Sequence, residues 1–226
     1  MMSRRFLLGC GLLAPLVYVS TVILGGLLRL GYSHITHAIS ELIAAGAPNT
    51  TLLIPLFTLY DILLAAFGAG FLLNVLASPD ARGRRSGAWG ALALVVAGLL
   101  GVLMNLFFPQ DPGGRPVTVT GTVHVVLAGV LSLGTMLAIL CTSLWLRQMP
   151  GLRAYWRYSL ASLVVVFVSG GLGAAAIATS SPYLGLVERV TIGAFMQWVF
   201  VIALRLSAPR STSERSETQP SVIPAR

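Results

Sequence analysis

Lysine is absent from this chain, acidic residues number only seven, and charged residues of every kind make up 10% of it. With a hydrophobic share of 56%, so little charge excludes an ordinary soluble globular domain, in which about a quarter of the residues are charged. Cysteine is scarce too. Cys10 and Cys141 fall inside apolar runs, on the side that the arginine distribution assigns to the reducing cytoplasm, so no structural disulfide is expected. Leu7-Leu8-Gly9-Cys10 has the form of a lipoprotein cleavage box, but only Phe6 to Gly9 separate Cys10 from Arg4 and Arg5. A secretory signal needs about 7 to 15 apolar residues there. The first apolar run also lacks an Ala-x-Ala-like cleavage site, so it is expected to remain as a helix. No HExxH and no Gly-x-Ser-x-Gly occurs, which removes two self-sufficient catalytic signatures. No internal repeat is visible, which argues against an inverted-repeat transporter.

What the chain does have is long apolar runs, approximately Phe6 to Leu28, Leu52 to Ala77, Ala88 to Phe108, Thr122 to Leu146, Ser159 to Thr179 and Val190 to Leu206. Each can cross a hydrocarbon core of about 30 Å as a helix, the last only just. Runs this continuous are helices rather than barrel strands, which would alternate over about ten residues. The expected fold is therefore all-α, a polytopic bundle of six transmembrane helices over residues 1–206. The Ser-, Thr- and Pro-containing stretch 207–226 is expected to be a disordered cytoplasmic tail.

The net charge of +8 raises the question of a nucleic-acid partner, but the arginines sit at the ends of apolar runs rather than on one continuous face, and no such partner is expected. Arg4, Arg5, Arg82, Arg84, Arg85, Arg147, Arg153, Arg157, Arg205, Arg210, Arg215 and Arg226 fall on one side of the six runs, and Arg29, Arg115 and Arg189 on the other. This positive-inside bias places both termini in the cytoplasm and the first, third and fifth connections outside. Small residues on helix three (Gly98, Gly101) and helix five (Ser169, Gly170, Gly171, Gly173) are expected to let helices approach closely.

The remaining polar residues gather at the outer face: His34, His37, Ser40, Glu41, Asn49, Asp111, His124, Glu188 and Arg189. The first outer connection places Ile35, Ile39, Leu42 and Ile43 on one face of a 3.6-residue period, and His34, His37 and Glu41 on the other. Ser33 is the candidate cap and Gly46 with Pro48 the stop, so Ser33 to Ala45 is expected to form an amphipathic surface helix. Turn chemistry accounts for Asp111 before Pro112-Gly113. His124, inside an otherwise apolar helix, needs a polar partner, and Asp111 is the candidate. Asp61 falls near mid-bilayer, where an acid either serves a function or ties helices together through Asn105 or Gln197. Glu188-Arg189 is either an exposed ion pair or a clamp for a lipid phosphate.

Ile39-Ser40-Glu41-Leu42 with Gly46-Ala47-Pro48-Asn49, Phe108-Pro109-x-Asp111-Pro112-Gly113, His124 and Glu188-Arg189 together resemble the bacterial and archaeal membrane family known as domain of unknown function 998. The sequence departs from it with Ile43-Ala44-Ala45 where a glycine would follow Ser-Glu-Leu. The resemblance implies six helices in a bacterial or archaeal plasma membrane, and no established activity. A fainter similarity extends to the eukaryotic six-helix family that contains autophagy modulators and a GPI-lipid-remodelling factor, which points toward lipid or lipid-linked substrates.

Three functional readings follow. The first is a site at the outer face that binds or acts on lipid, with His34, Ser40, Glu41, Asp111 and His124 as catalytic candidates and Glu188, Arg189, Asn49 and Asp61 as binding candidates. In it, His34, Asp111 and His124 would be the ligands of any divalent metal. The second is a proton-linked transporter using Asp61, and the third a non-catalytic scaffold. The topology is testable directly: a cysteine at position 110 should be labelled by an impermeant maleimide from outside, and one at position 82 only after permeabilisation. The reverse pattern would invert the bundle.

Overall fold

The computed structural model describes residues 3–78, 81–149 and 151–208. Among them, six helices are long and apolar enough to cross a membrane: α1 (Arg4–Leu28), α2 (Thr50–Leu76), α3 (Arg84–Phe107), α4 (Val119–Gln148), α5 (Ala154–Thr179) and α6 (Leu184–Ser207). No strand occurs among the described residues, and the chain is an all-α, multi-pass membrane protein. Several helices run past the apolar stretches that announce them. α3 begins at Arg84 and α6 at Leu184, because the hydrogen-bond ladder continues into the polar boundary; neither start has a side-chain cap, and near the start of α6 the Leu186 amide donates to the Ile35 carbonyl. Of the stretch 207–226, α6 takes Ser207, and residues from 209 onward, Arg210, Arg215 and Arg226 among them, lie outside the described residues.

Each helix packs on its chain neighbours, and α6 returns to α1. Short connections between neighbouring long helices make consecutive helices antiparallel. The centre is filled by Leu8 of α1, Phe67, Phe71 and Val75 of α2, Leu94 of α3 and Trp198 and Val199 of α6, all nearly inaccessible. Trp198 brings its one polar atom to a partner, its Nε1 donating to Ser159 Oγ at 3.0 Å. The outer surface of the bundle is apolar, with Leu13, Leu16, Leu99, Leu133, Val164 and Phe167 exposed. That exterior is stable against lipid chains, not against water.

α2 and α3 come close backbone to backbone. Gly87, Gly90, Ala91, Leu94, Ala97, Gly98 and Gly101 are the buried face of α3, spaced at three and four residues so that one stripe meets α2 and α4. A Cβ on Gly98 would stand 2.7 Å from the Ala65 nitrogen and 2.8 Å from the Ala65 Cβ, and one on Gly101 would collide with the carboxylate of Asp61. The α5 glycines differ from this expectation of close approach. A Cβ on Gly171 would meet nothing within 4 Å, and one on Gly170 would meet the flexible Met136 side chain at 3.3 Å. α5 is instead joined to α6 through Thr191 Oγ1, which donates to Ser169 Oγ at 2.8 Å.

The first connection is not the amphipathic helix that its periodicity predicts. Only Ser40–Ile43 is helical, as a single 3-10 turn. An isolated helical turn precedes it, closed by His37 N to Ser33 O at 2.9 Å, and Gly46 ends the segment at φ +75°. The reason is tertiary. Ile39, Leu42 and Ile43 are buried against Val22, Leu53 and Phe57, and the backbone groups of the segment bond to side chains of other elements in place of their own helical partners. Glu41, expected on the wet face, is 5% exposed.

Substituting Gly98 by alanine should destabilise the bundle by about 1–3 kcal/mol through overpacking. Gly129→Ala, where a Cβ meets nothing within 4 Å, should be neutral or mildly stabilising, because alanine is the better helix former. Unfolding titrations in mixed micelles would compare the two variants.

Candidate functional site

At the arginine-poor end of the bundle the first connection folds inward and is held by side chains from three directions. Arg189 of α6 contributes most: its Nη1 donates to the carbonyls of His37 at 3.0 Å and Gly185 at 2.8 Å, and its Nη2 donates to Tyr32 Oη at 2.6 Å. Its guanidinium also lies 5.6 Å from the Tyr32 ring centre. Glu188, next to it, accepts from the Ile39 amide through Oε2 at 2.7 Å. From the end of α1, Arg29 donates to the Glu41 carbonyl. Between α3 and α4, Gln110 accepts from Ser40 Oγ through its side chain and from the Ala45 amide, at 2.9 Å, through its carbonyl.

The loop completes its own inventory. Glu41 Oε1 accepts from the Ala38 amide at 2.9 Å, Tyr32 Oη donates to the Ala38 carbonyl at 2.9 Å, and the Leu186 amide at the start of α6 donates to the Ile35 carbonyl at 2.9 Å. Gly185 lies under this contact. A Cβ there would collide with the His37 carbonyl and sit 2.9 Å from both the His34 carbonyl and Arg189 Nη1. Tyr32 stacks on His37 with ring centres 5.4 Å apart and meets His34 edge-on at 5.3 Å. The Ser33 amide donates to His37 Nδ1 at 3.0 Å, which leaves the His37 hydrogen on Nε2.

The expected partnership of His124 with Asp111 is not the one made. His124, 3% exposed, points its Nδ1 at the carbonyl of Phe108 at 2.7 Å. A carbonyl only accepts, so Nδ1 carries the hydrogen, and the contact ties the second turn of α4 to the end of α3. Asp111 is a cap. Its carboxylate accepts from the amides of Val117 at 2.6 Å and Thr118 at 2.7 Å and from Thr118 Oγ1 at 2.8 Å. Those bonds, first the Thr118 amide and then Val117, hold its pKa below the ordinary carboxylate value, and His124 reaches it only as a nearby partial charge. Among the described residues, no three His, Cys, Asp or Glu side chains come together to hold a metal ion. His34, Asp111 and His124 are therefore not a ligand set.

Two further candidates make hydrogen bonds between elements of the bundle. Asn49, at the N-cap of α2, donates from Nδ2 to the Leu28 carbonyl at 3.3 Å. Asp61 is buried on α2 and accepts from Asn105 Nδ2 of α3 at 2.7 Å, over the space that Gly101 leaves.

Below the folded connection, between α1 and α6, lies a cavity of about 310 Å³. Val19, Val22, Ile23, Ile192 and Met196 are among its apolar walls, and His34 and Arg189 stand in its lining as well. His34 is exposed with its ring against Gly26 of α1. Partial burial, and then the Arg189 charge, hold its pKa below the ordinary histidine value, so near neutral pH it is an uncharged donor and acceptor. Arg189 has five N–H donors, of which the bonds above use three. Its Nε is buried and has no partner.

Tyr32, Arg29, Gln110 and Gly185 also hold the first connection, and the sequence reading did not include them among its site candidates. Tyr32 carried a signal in hindsight, as an aromatic between Arg29 and His34 just past the end of α1. Gly185 had none.

The chain matches the family described as "Protein of unknown function (DUF998)" over residues 12–205. It belongs to that family, which covers nearly the whole six-helix domain. No curated protein and no solved structure matches it.

Replacing Glu188 with alanine should raise hydrogen exchange at the Ile39 amide several-fold, since a hydrogen bond is worth about 0.5–1.5 kcal/mol. The Thr118 amide, held by Asp111, should keep its rate. Equal acceleration at both would mean general unfolding of the bundle end.

Proposed function

We propose that the cavity between α1 and α6 holds an acyl or prenyl chain of a lipid or lipid-linked substrate, with the anionic headgroup at Arg189 and His34. The positive-inside bias supports reading this site on the outer-leaflet side, and the family resemblance supports a bacterial or archaeal plasma membrane. The observation that carries the proposal is the combination of a chain-sized apolar cavity with a lining arginine whose Nε has no protein partner. A buried, unpaired guanidinium donor costs free energy that a phosphate or carboxylate oxygen would recover. Neutral His34 beside it is suited to donate a hydrogen bond to the headgroup or to accept a proton from it. His124 and Asp111 then serve as positioning residues that fix the α3–α4 connection, and Glu41, Ser40 and Glu188 hold the covering loop.

The Asp61–Asn105 bond supports reading Asp61 as a tie between α2 and α3, in preference to a transport site. Interhelical hydrogen bonds in membranes contribute about 0.6 kcal/mol on average.

Native mass spectrometry of the protein released from mild detergent provides the test. The wild type should retain a phosphate-bearing lipid, and Arg189→Gln, which removes the headgroup contact together with the loop bonds to His37 and Tyr32, should lower its occupancy at least about tenfold. Gly193→Leu fills the same cavity from a position where a Cβ meets nothing within 4 Å, and it should abolish retention while leaving the fold intact. Wild-type retention in both variants would rule the site out.

A further inference from the structure

The opposite, arginine-rich end contains a second cavity, about 450 Å³, lined by Arg147, Arg153, Ala154, Trp156 and Arg157. Arg147 comes from the last turn of α4, Arg153 occupies the N-cap position of α5, and Trp156 and Arg157 belong to its first turn. The guanidinium carbons of Arg147 and Arg157 stand 5.6 and 5.8 Å from the centre of the Trp156 ring. All three arginines are exposed and Trp156 is half-buried. Arg153 makes no capping bond with its side chain.

Like charges drawn together repel, and no acidic side chain described at this end offsets them. Among the described residues the acids are Glu41, Asp61, Asp111 and Glu188, which lie on α2 or at the arginine-poor end. A topology signal needs only that arginines lie on the correct side. It does not require three of them, from two helices, to converge on one indole and one cavity.

We propose that this cavity binds a phosphate group, supplied by the headgroup of a membrane lipid with net negative charge. The guanidiniums offer planar forks that match phosphate oxygens, two of them braced on an indole. Basic pockets between helices at the cytoplasmic border are suited to such headgroups, and tryptophan is suited to headgroup depth. This site is independent of the one between α1 and α6.

The test uses the full chain in phosphatidylcholine nanodiscs containing brominated lipid, with the Trp156 signal isolated by comparison with Trp156→Phe. Trp156 should be quenched several-fold more by brominated phosphatidylglycerol than by brominated phosphatidylcholine. In an R147Q/R153Q/R157Q variant that preference should fall to parity, with the melting temperature as a check on folding. The corresponding triple lysine variant keeps the charge and the topology signal, and should retain only part of the preference because an ammonium lacks the fork. Millimolar inorganic phosphate identifies the source: loss of the preference means that the cavity takes phosphate from any source, and its persistence means that it takes the lipid. Equal quenching by the two lipids, or an unchanged preference in the triple glutamine variant, would overturn the proposal.

Discussion

The arginine-poor end depends on one guanidinium. A connection that leaves helical geometry and turns back into a membrane bundle brings backbone carbonyls and amides where few waters can serve them, and each one left unpaired costs free energy. Arg189 answers that constraint directly at His37 and through Tyr32 at Ala38. With Arg189 and Glu188 in adjacent positions of α6, the same turn supplies a donor to a carbonyl and an acceptor to an amide. Gly185 allows the loop to come close enough for both. The covering loop, the cavity beneath it and the position of His34 all follow from this attachment.

The rest of the bundle keeps that end in place. α2 and α3 approach backbone to backbone because Gly98 and Gly101 carry no side chain, and Asp61 occupies the space so opened with Asn105 as its partner. At the end of α3 the Phe108 carbonyl, left over by the helix ladder, is taken by His124. Asp111 then starts α4 by gathering the Val117 and Thr118 amides. The last of these bonds satisfy polar groups at the end of α3 and the start of α4, which gives the loop a base to close against. Among the described residues, the charged side chains at the other end of the bundle are all arginines, and two of them stand over Trp156.

The six spans were legible because apolar length is a direct requirement of the bilayer, and the gathering of His34, Glu41, Asp111, His124 and Arg189 at one end followed from where the spans stop. The partners were not legible. A sequence displays side chains, and the group that His124 meets is a backbone carbonyl sixteen residues earlier; pairing it with Asp111 overlooked the capping role that Asp-Pro-Gly turn chemistry already suggested. The first connection shows the same limit. Ile39, Leu42 and Ile43 fit a helical period because they share a buried side, but what buries them is Phe57 and Leu53 of α2, and tertiary contact decided the backbone. The α5 glycines look like those of α3 in composition, and only the neighbouring helix distinguishes an open surface from a tight one.

The central claim is that the α1–α6 cavity is a lipid site headed by Arg189. It is tested most directly by an electron cryomicroscopy structure of the chain in native-lipid nanodiscs. The account predicts elongated density along Val22, Ile192 and Met196, ending in a headgroup within about 3 Å of Arg189 Nε, the hydrogen-bond distance. An empty cavity, or a chain whose headgroup lies away from Arg189 with Nε still unpaired, would contradict it.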